Sequence, residues 1–214
     1  MKICIVVDNP LSWFVPFAEK LKKNLGEFGT VDLLSGSKDI PHANDVAFLL
    51  SCEKKVTSEI LHRSRSNIVV HASDLPKGKG MSPLTWQILE GRNRIPITLF
   101  EAVEAIDAGP IYLKGYIDFL GNELLHEMQN SVGVKIMEMC ETFLNDWPQI
   151  LSKSIAQTGE PSFYKKRTAE DSRLDPQKSL AEQFNLLRVV DNERYPAFFE
   201  WNGRRYNLKI ELSK

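Results

Sequence analysis

The strongest constraint on this fold is the rhythm of the first seventy-one residues, where short β-branched runs alternate with segments of helical period. Lys2 to Val7 is apolar and runs into Asp8-Asn9-Pro10, the pattern of a buried strand ending in a turn. From Phe14 to Leu25 the residues Phe14, Phe17, Leu21 and Leu25 recur among lysines and stop at Gly26, as a helix does. Thr30 to Leu34 and Asp45 to Leu50 are further strand-like runs, Thr57 to Ser64 opens as a helix, and Asn67 to His71 is the next strand. Parallel neighbours need crossover connections, so this order predicts an α/β fold with a Rossmann-like, mostly parallel sheet.

Beyond His71 lies the turn-rich loop Ser73 to Gly80, then Ser82-Pro83 opening a helix that runs to Leu89. Ile95 to Phe100 and Ile111 to Ile117 read as strands, and Asn122 to about Ile155 as one long helix with Trp147-Pro148 as its weak point. Gly159 to Pro161 breaks the pattern. We therefore expect a main domain over residues 1–158 and a short extension over 159–214, made of the amphipathic segment Ser179 to Val190 and a β-hairpin about Asn202-Gly203.

Hydrophobic residues at 43% and charged residues at 26% suit a chain that folds alone. Lys plus Arg number 27 against 28 Asp plus Glu, for a net charge of -1, which argues against a nucleic-acid partner. Cys4, Cys52 and Cys140 share no short ligand spacing, so neither a disulfide framework nor a metal site is expected. Asp8 and Pro10 cut the N-terminal apolar run too short for a leader or a membrane span, and a cytoplasmic location is expected.

Open α/β sheets bind ligands beyond the carboxyl ends of their strands, which directs attention to Asp8 to Phe14, Ser51 to Lys55 and His71 to Gly80. Taken singly, His71 reads as a hydrogen-bonded strand-end residue, and Asp107, in Ala105-Ile106-Asp107-Ala108-Gly109-Pro110, as a turn residue bonding its own backbone. Their combination says more. His71-Ala-Ser73-Asp-Leu75-Pro76-Lys-Gly-Lys-Gly80, followed by Ser82-Pro83 and Trp86, resembles the signature of the folate-dependent formyltransferases, whose catalytic Asp follows the His by 36 residues in a Leu-Asp-x-Gly turn. Here 107 minus 71 is 36, and Ile106-Asp107-Ala108-Gly109 stands at that place. Tyr164, Arg167, Glu170-Asp171, Leu174-Asp175, Leu187-Arg188 and Pro196-Ala-Phe-Phe are similar to the tail of members acting on nucleotide-linked amino sugars, so the resemblance covers about 45–201.

The resemblance implies transfer of the formyl group of N10-formyltetrahydrofolate to an amine, with no metal. His71 becomes the proton acceptor or oxyanion partner, and Asp107 orients it or a water. Amine attack on an amide-like carbon needs a base and donors for the developing oxyanion. Cys52, Glu53, Lys55, Val103, Ile106 and Asp107 fall where the family holds its folate. The cationic, glycine-rich Lys77 and Lys79, with Tyr164 and Arg188, are the expected contacts of a nucleotide-linked amino sugar; residue chemistry alone makes Arg188 a surface residue and the lysines solvated.

Two departures stand out. The family carries an Asn two residues before the His, where this chain has Val69, which donates no hydrogen bond. Asn67 shares that strand face but lies about 13 Å from His71. Asn9, in the loop after the first strand, is the candidate replacement beside its plainer reading as a turn residue. The second departure is Ser51-Cys52-Glu53-Lys54-Lys55, where the family has a small, glycine-containing loop.

Fifty-five residues after Gly159 and no basic surplus disfavour the tRNA-directed members, which carry a full second domain. The expected acceptor is a 4-amino-4,6-dideoxy sugar of bacterial surface-glycan synthesis, the pseudaminic-acid type included. The closing hairpin offers a surface for a homodimer. A formyltetrahydrofolate hydrolase and a decayed folate- or nucleotide-binding module remain the competing readings.

Overall fold

The structure, a computed structural model, describes residues 1–213. Its strands in chain order are β1 Lys2–Val6, β2 Thr30–Leu34, β3 Asn44–Leu49, β4 Ser64–His71, β5 Lys79–Gly80, β6 Arg94–Glu101, β7 Ile111–Asp118, β8 Phe163–Tyr164, β9 Ala197–Trp201 and β10 Arg204–Leu208. The α-helices are α1 Val15–Leu25, α2 Ser58–Leu61, α3 Pro83–Leu89, α4 Leu125–Asn145 and α5 Phe184–Arg188.

Six strands form the central sheet in the order β2-β1-β3-β4-β6-β7. The pairs from β2 to β4 are parallel, and β6 and β7 close the sheet antiparallel. The sheet is thus mostly parallel, as expected. Strands β1 and β3 are apolar along nearly their whole length because both their faces are covered. On one face Ile3, Ile5, Phe48 and Leu99 pack against Leu21 and Leu25 of α1 and Ile136, Cys140 and Phe143 of α4. The opposite face carries a smaller cluster of Cys4, Val6, Ala47, Leu49 and Ile60.

The helix expected to run from Asn122 to about Ile155 is shorter. It begins where Glu127 reaches back to accept the Leu124 N–H at 2.8 Å, and it ends at Asn145. Trp147-Pro148 stops it, because the residue before a proline is driven from helical geometry, and Gln149–Lys153 continues as a 3-10 turn that still buries Ile150. The helix expected over Thr57 to Ser64 is a single turn, since Ser64 already belongs to β4.

In the extension the expected hairpin is present, β9 against β10, and Trp201 and Tyr206 are exposed on it. Leu174, Leu187, Val190 and Ala197 form a small core of their own, while Val189 joins Ile88, Ile95 and Met128 of the main domain. Among the described residues no helix is long and apolar enough to cross a membrane. None of their His, Cys, Asp and Glu side chains cluster in threes fit to hold a metal ion.

Candidate active site

A cavity of about 280 Å³ opens beyond the carboxyl ends of β3 and β4. His71, the last residue of β4, and Asp107, from the turn between β6 and β7, both line it. His71 Nε2 donates to the Gly78 carbonyl at 2.9 Å; a carbonyl only accepts, so the proton sits on Nε2 and a neutral ring keeps its lone pair on Nδ1. Asp107 was expected to orient this ring or a water. Its Oδ2 instead accepts the Gly80 N–H at 2.8 Å and stands 3.8 Å from His71 Nε2, within reach of charge but beyond a hydrogen bond. The carbonyl of Gly78 does the orienting, and Asp107 holds the loop that presents it. Asp107 adopts φ 48°, a left-handed conformation that Asp tolerates, and Gly109 behind it is obligatory because a Cβ there would lie 1.8 Å from the Glu101 carbonyl oxygen.

The residues expected to hold a folate converge on this cavity: Cys52, Glu53 and Lys55 line one side, Val103 and Ile106 the exposed lip opposite. The loop that replaces the family's glycine-containing segment is built around Asp8, whose carboxylate accepts the backbone N–H groups of Glu53 and Lys54 at 2.8 to 3.1 Å. Ser51 takes φ 55°, the geometry a glycine would supply, and its hydroxyl pairs with that of Ser12 at 2.8 Å. Burial pushes the Cys52 thiol up to about 12, with the nearby Asp8 charge adding to the effect and its backbone hydrogen bond opposing, so the sulfur is a protonated part of the wall.

The expectations for Asn9 and Arg188 are corrected. Asn9 is not among the cavity's lining residues: its amide donates to Glu53 Oε1 at 2.9 Å and its Oδ1 accepts the Leu11 N–H at 2.9 Å, the plain turn role. Asn67 points elsewhere too, its amide donating to the Leu61 carbonyl at 2.9 Å. Val69 itself lines the cavity, so the position beside His71 is apolar in fact as well as in sequence. Arg188 is buried: Nη2 donates to Asn93 Oδ1 at 2.5 Å, Nε to Asn185 Oδ1 at 2.9 Å, and Nη1 lies 3.6 Å from Glu123. It is neither a surface residue nor open to a ligand, and it joins the extension to the main domain. Tyr164 stacks on Trp86 at 6.3 Å between ring centroids and donates its hydroxyl to Glu90 at 3.0 Å. Lys77 is exposed, and Lys79 is buried with its ammonium 6.0 Å from the Phe163 ring centroid.

Sequence reasoning missed Gln157, whose Nε2 donates to the carbonyls of Asp107 at 2.9 Å and Gly109 at 2.8 Å. It also missed Ser162, which accepts the Gly78 N–H on Oγ at 2.9 Å. No local pattern marks either one, because each acts on a loop distant in sequence.

A cavity at the strand ends of an open α/β sheet, bordered by a histidine and an aspartate from separate loops, defines a ligand site equipped for proton transfer. Residues 1–139 match the model of the Formyl transferase family, and the chain belongs to that family. It is 26% identical over 166 residues to a methionyl-tRNA formyltransferase from Mycoplasma capricolum, a match that spans 76% of this chain and 52% of that protein, about half its length. The fold matches a methionyl-tRNA formyltransferase from Clostridium thermocellum with a TM-score of 0.80 at 23% identity, covering 100% of this chain and 94% of the other. It also matches a 4-N formyltransferase from Francisella tularensis at 0.72 and 17% identity, covering 100% and 98%. HypX from Aquifex aeolicus in complex with tetrahydrofolic acid matches at 0.75 and 19% identity, over 98% of this chain and 37% of that one.

Proposed function

We propose that this protein transfers the formyl group of N10-formyltetrahydrofolate to the amine of a nucleotide-linked amino sugar. The observation that carries the reading is the pairing of His71 with Asp107 at a cavity whose walls include all the residues expected to meet a folate. The cavity lies at the low end of small-molecule pocket sizes and mixes an apolar lining with a few polar groups, which suits a bicyclic heterocycle with the rest of the donor in the open mouth. The donor supplies an activated formyl carbon.

His71, with Nε2–H committed to Gly78, takes the amine proton on Nδ1 as the new carbon–nitrogen bond forms. The proton returns to the departing nitrogen of the donor when its bond to the formyl carbon breaks. Asp107 faces the charge that the ring carries in between. Lys77, exposed on the loop that follows His71, suits the diphosphate of the acceptor, with Lys79 adding positive charge from beneath the same loop.

A second reading, with an initiator tRNA as acceptor, is favoured by the relative from Mycoplasma capricolum; the net charge of -1 weighs against it. The deciding experiment measures tetrahydrofolate release from N10-formyltetrahydrofolate alone, with nucleotide-linked amino sugars, and with methionyl-tRNA, for the natural chain and for His71→Ala. Release that requires the sugars and disappears in the variant supports the proposal. Release that requires tRNA replaces it with the second reading, and release without acceptor makes the protein a hydrolase.

A further inference from the structure

We infer that residues 155–164 form a strap that sets the geometry of both His71 and Asp107, with Gln157 and Ser162 as positioning residues; the inference rests on the catalytic roles proposed for that pair. The strap crosses the two loops in turn. Ile155 and Ile111 exchange backbone hydrogen bonds at 2.8 Å, which anchors it beside the start of β7. Gln157 then spends both N–H bonds of its amide on the carbonyls of Asp107 and Gly109, clamping the turn that carries the aspartate, while its Oε1 stays buried without a partner. Further on, Ser162 N donates to the Pro76 carbonyl at 3.3 Å, and β8 pairs with β5 in parallel register, Lys79 opposite Phe163 and Gly80 opposite Tyr164.

One peptide group links the strap to the imidazole. The bond between Gly78 and Lys79 offers its carbonyl to His71 Nε2 at 2.9 Å and its N–H to the Ser162 carbonyl at 2.9 Å. Such a chain polarises each member, so the strap's carbonyl strengthens the acceptor that holds the ring. The next N–H, that of Gly80, goes to Asp107, and the one after, of Met81, goes to the Tyr164 carbonyl at 3.2 Å. Strap, histidine loop and aspartate turn are therefore one hydrogen-bonded unit. The approach is close enough that a Cβ on Gly80 would come within 2.5 Å of the Tyr164 carbonyl oxygen, and Gly80 also sits at φ +97°.

The test uses the full chain with Ser162→Ala, which removes the Oγ that accepts the Gly78 N–H at 2.9 Å, Ser162→Thr, which keeps a hydroxyl there, and Gln157→Leu. Ser162 is exposed and Gln157 half-buried outside the main core clusters, so the variants should fold. Nitrogen-15 shifts of the His71 ring report its tautomer independently of turnover. The expected result is a ring fixed in the Nε2–H form in the natural chain, a mixed tautomer in Ser162→Ala, and recovery in Ser162→Thr. Turnover falls about fivefold for Ser162→Ala and about tenfold for Gln157→Leu, with KM for the formyl donor within about twofold. An unchanged ring spectrum in Ser162→Ala, or unchanged turnover in both truncating variants, overturns the inference. If the natural chain formylates no amino sugar, the functional proposal falls, while the ring spectra still decide whether the strap positions His71.

Discussion

Replacing Arg188 with methionine separates a structural arginine from a substrate-binding one. The guanidinium is fully buried and donates to Asn93 and Asn185, tying α5 to the main domain. Burial lowers its pKa, and the charge of Glu123 works the other way. Each hydrogen bond from a charged donor is worth about 1.5 to 3 kcal/mol net, and methionine retains most of the stem's packing. Against that loss stands the relief of a buried cation's desolvation, several kcal/mol in scale. Glu123 is not stranded by the change, because the N–H groups of Leu120 and Gly121 still bind its carboxylate. The balance is a destabilisation of about 2 kcal/mol, which lowers a urea midpoint by about 1 M at a typical slope. The assay is urea unfolding followed by tryptophan fluorescence, beside KM for the sugar acceptor. An unchanged midpoint with a tenfold rise in that KM would refute the reasoning and return Arg188 to the substrate.

Further outcomes follow from the same geometry. With burial raising Cys52 to about 12, Cys4 to about 11 and Cys140 well above its ordinary value, the folded protein should release no burst of thiol to an aromatic disulfide reagent at pH 8; a fast-reacting equivalent would contradict this. Gly109→Ala forces its Cβ onto the Glu101 carbonyl, so we expect a loss of about 3 kcal/mol in thermal unfolding and a displaced Asp107, whereas a melting temperature within a degree of the natural chain would show that the turn yields. The carboxyl of Asp171 is held low, first by its bond to Lys165, with burial opposing and Thr168 assisting. A depressed acid stabilises the fold above its unfolded value, about pH 4, and that contribution fades as pH falls through the lower folded value; Asp171→Asn should flatten the acid limb by well under 1 kcal/mol because Lys165 is exposed, and identical limbs would count against it. Val69→Asn restores an amide beside His71, and turnover should rise about tenfold if the formyl oxygen lies there; no rise means the oxygen lies elsewhere.

The parallel half of the sheet was legible because β1 and β3, buried on both faces, carry short apolar, β-branched runs bounded by turn residues. The reversal at β6 was not, since β4 and β6 flank a helix as parallel strands commonly do, and only the path of the chain through residues 72–93 decides direction. Helix α4 was read too long because Ile150 and Leu151 prolong its apolar pattern past Pro148. His71 and Asp107 were visible through the spacing of a familiar motif and not through periodicity. Arg188 was misread because its neighbours Asn93 and Glu123 are far off in sequence, and a charge looks exposed until the groups that bury it are known. The two-residue β8 escaped for the same reason: its partner is the loop after His71, and no propensity marks so short a strand.

Val69 concentrates the polar chemistry of the cavity. The lining side chains that ordinarily carry an N–H, O–H or S–H are Ser51, Cys52, Lys54, Lys55 and His71. Ser51 shares its hydroxyl with Ser12, and Cys52 directs its weak donor at the Val6 carbonyl at 3.4 Å. The Nε2–H of the imidazole already serves Gly78. In the proposed reaction a neutral His71 begins as an acceptor at Nδ1 and turns into a donor there only after the amine has given up its proton. In that proposed reaction, base and oxyanion partner are successive states of one ring. Such a ring must hold its orientation through both states, and the Gly78 carbonyl that would hold it is itself tied by a second segment of the chain, through the Lys79 N–H and the Gly78 N–H.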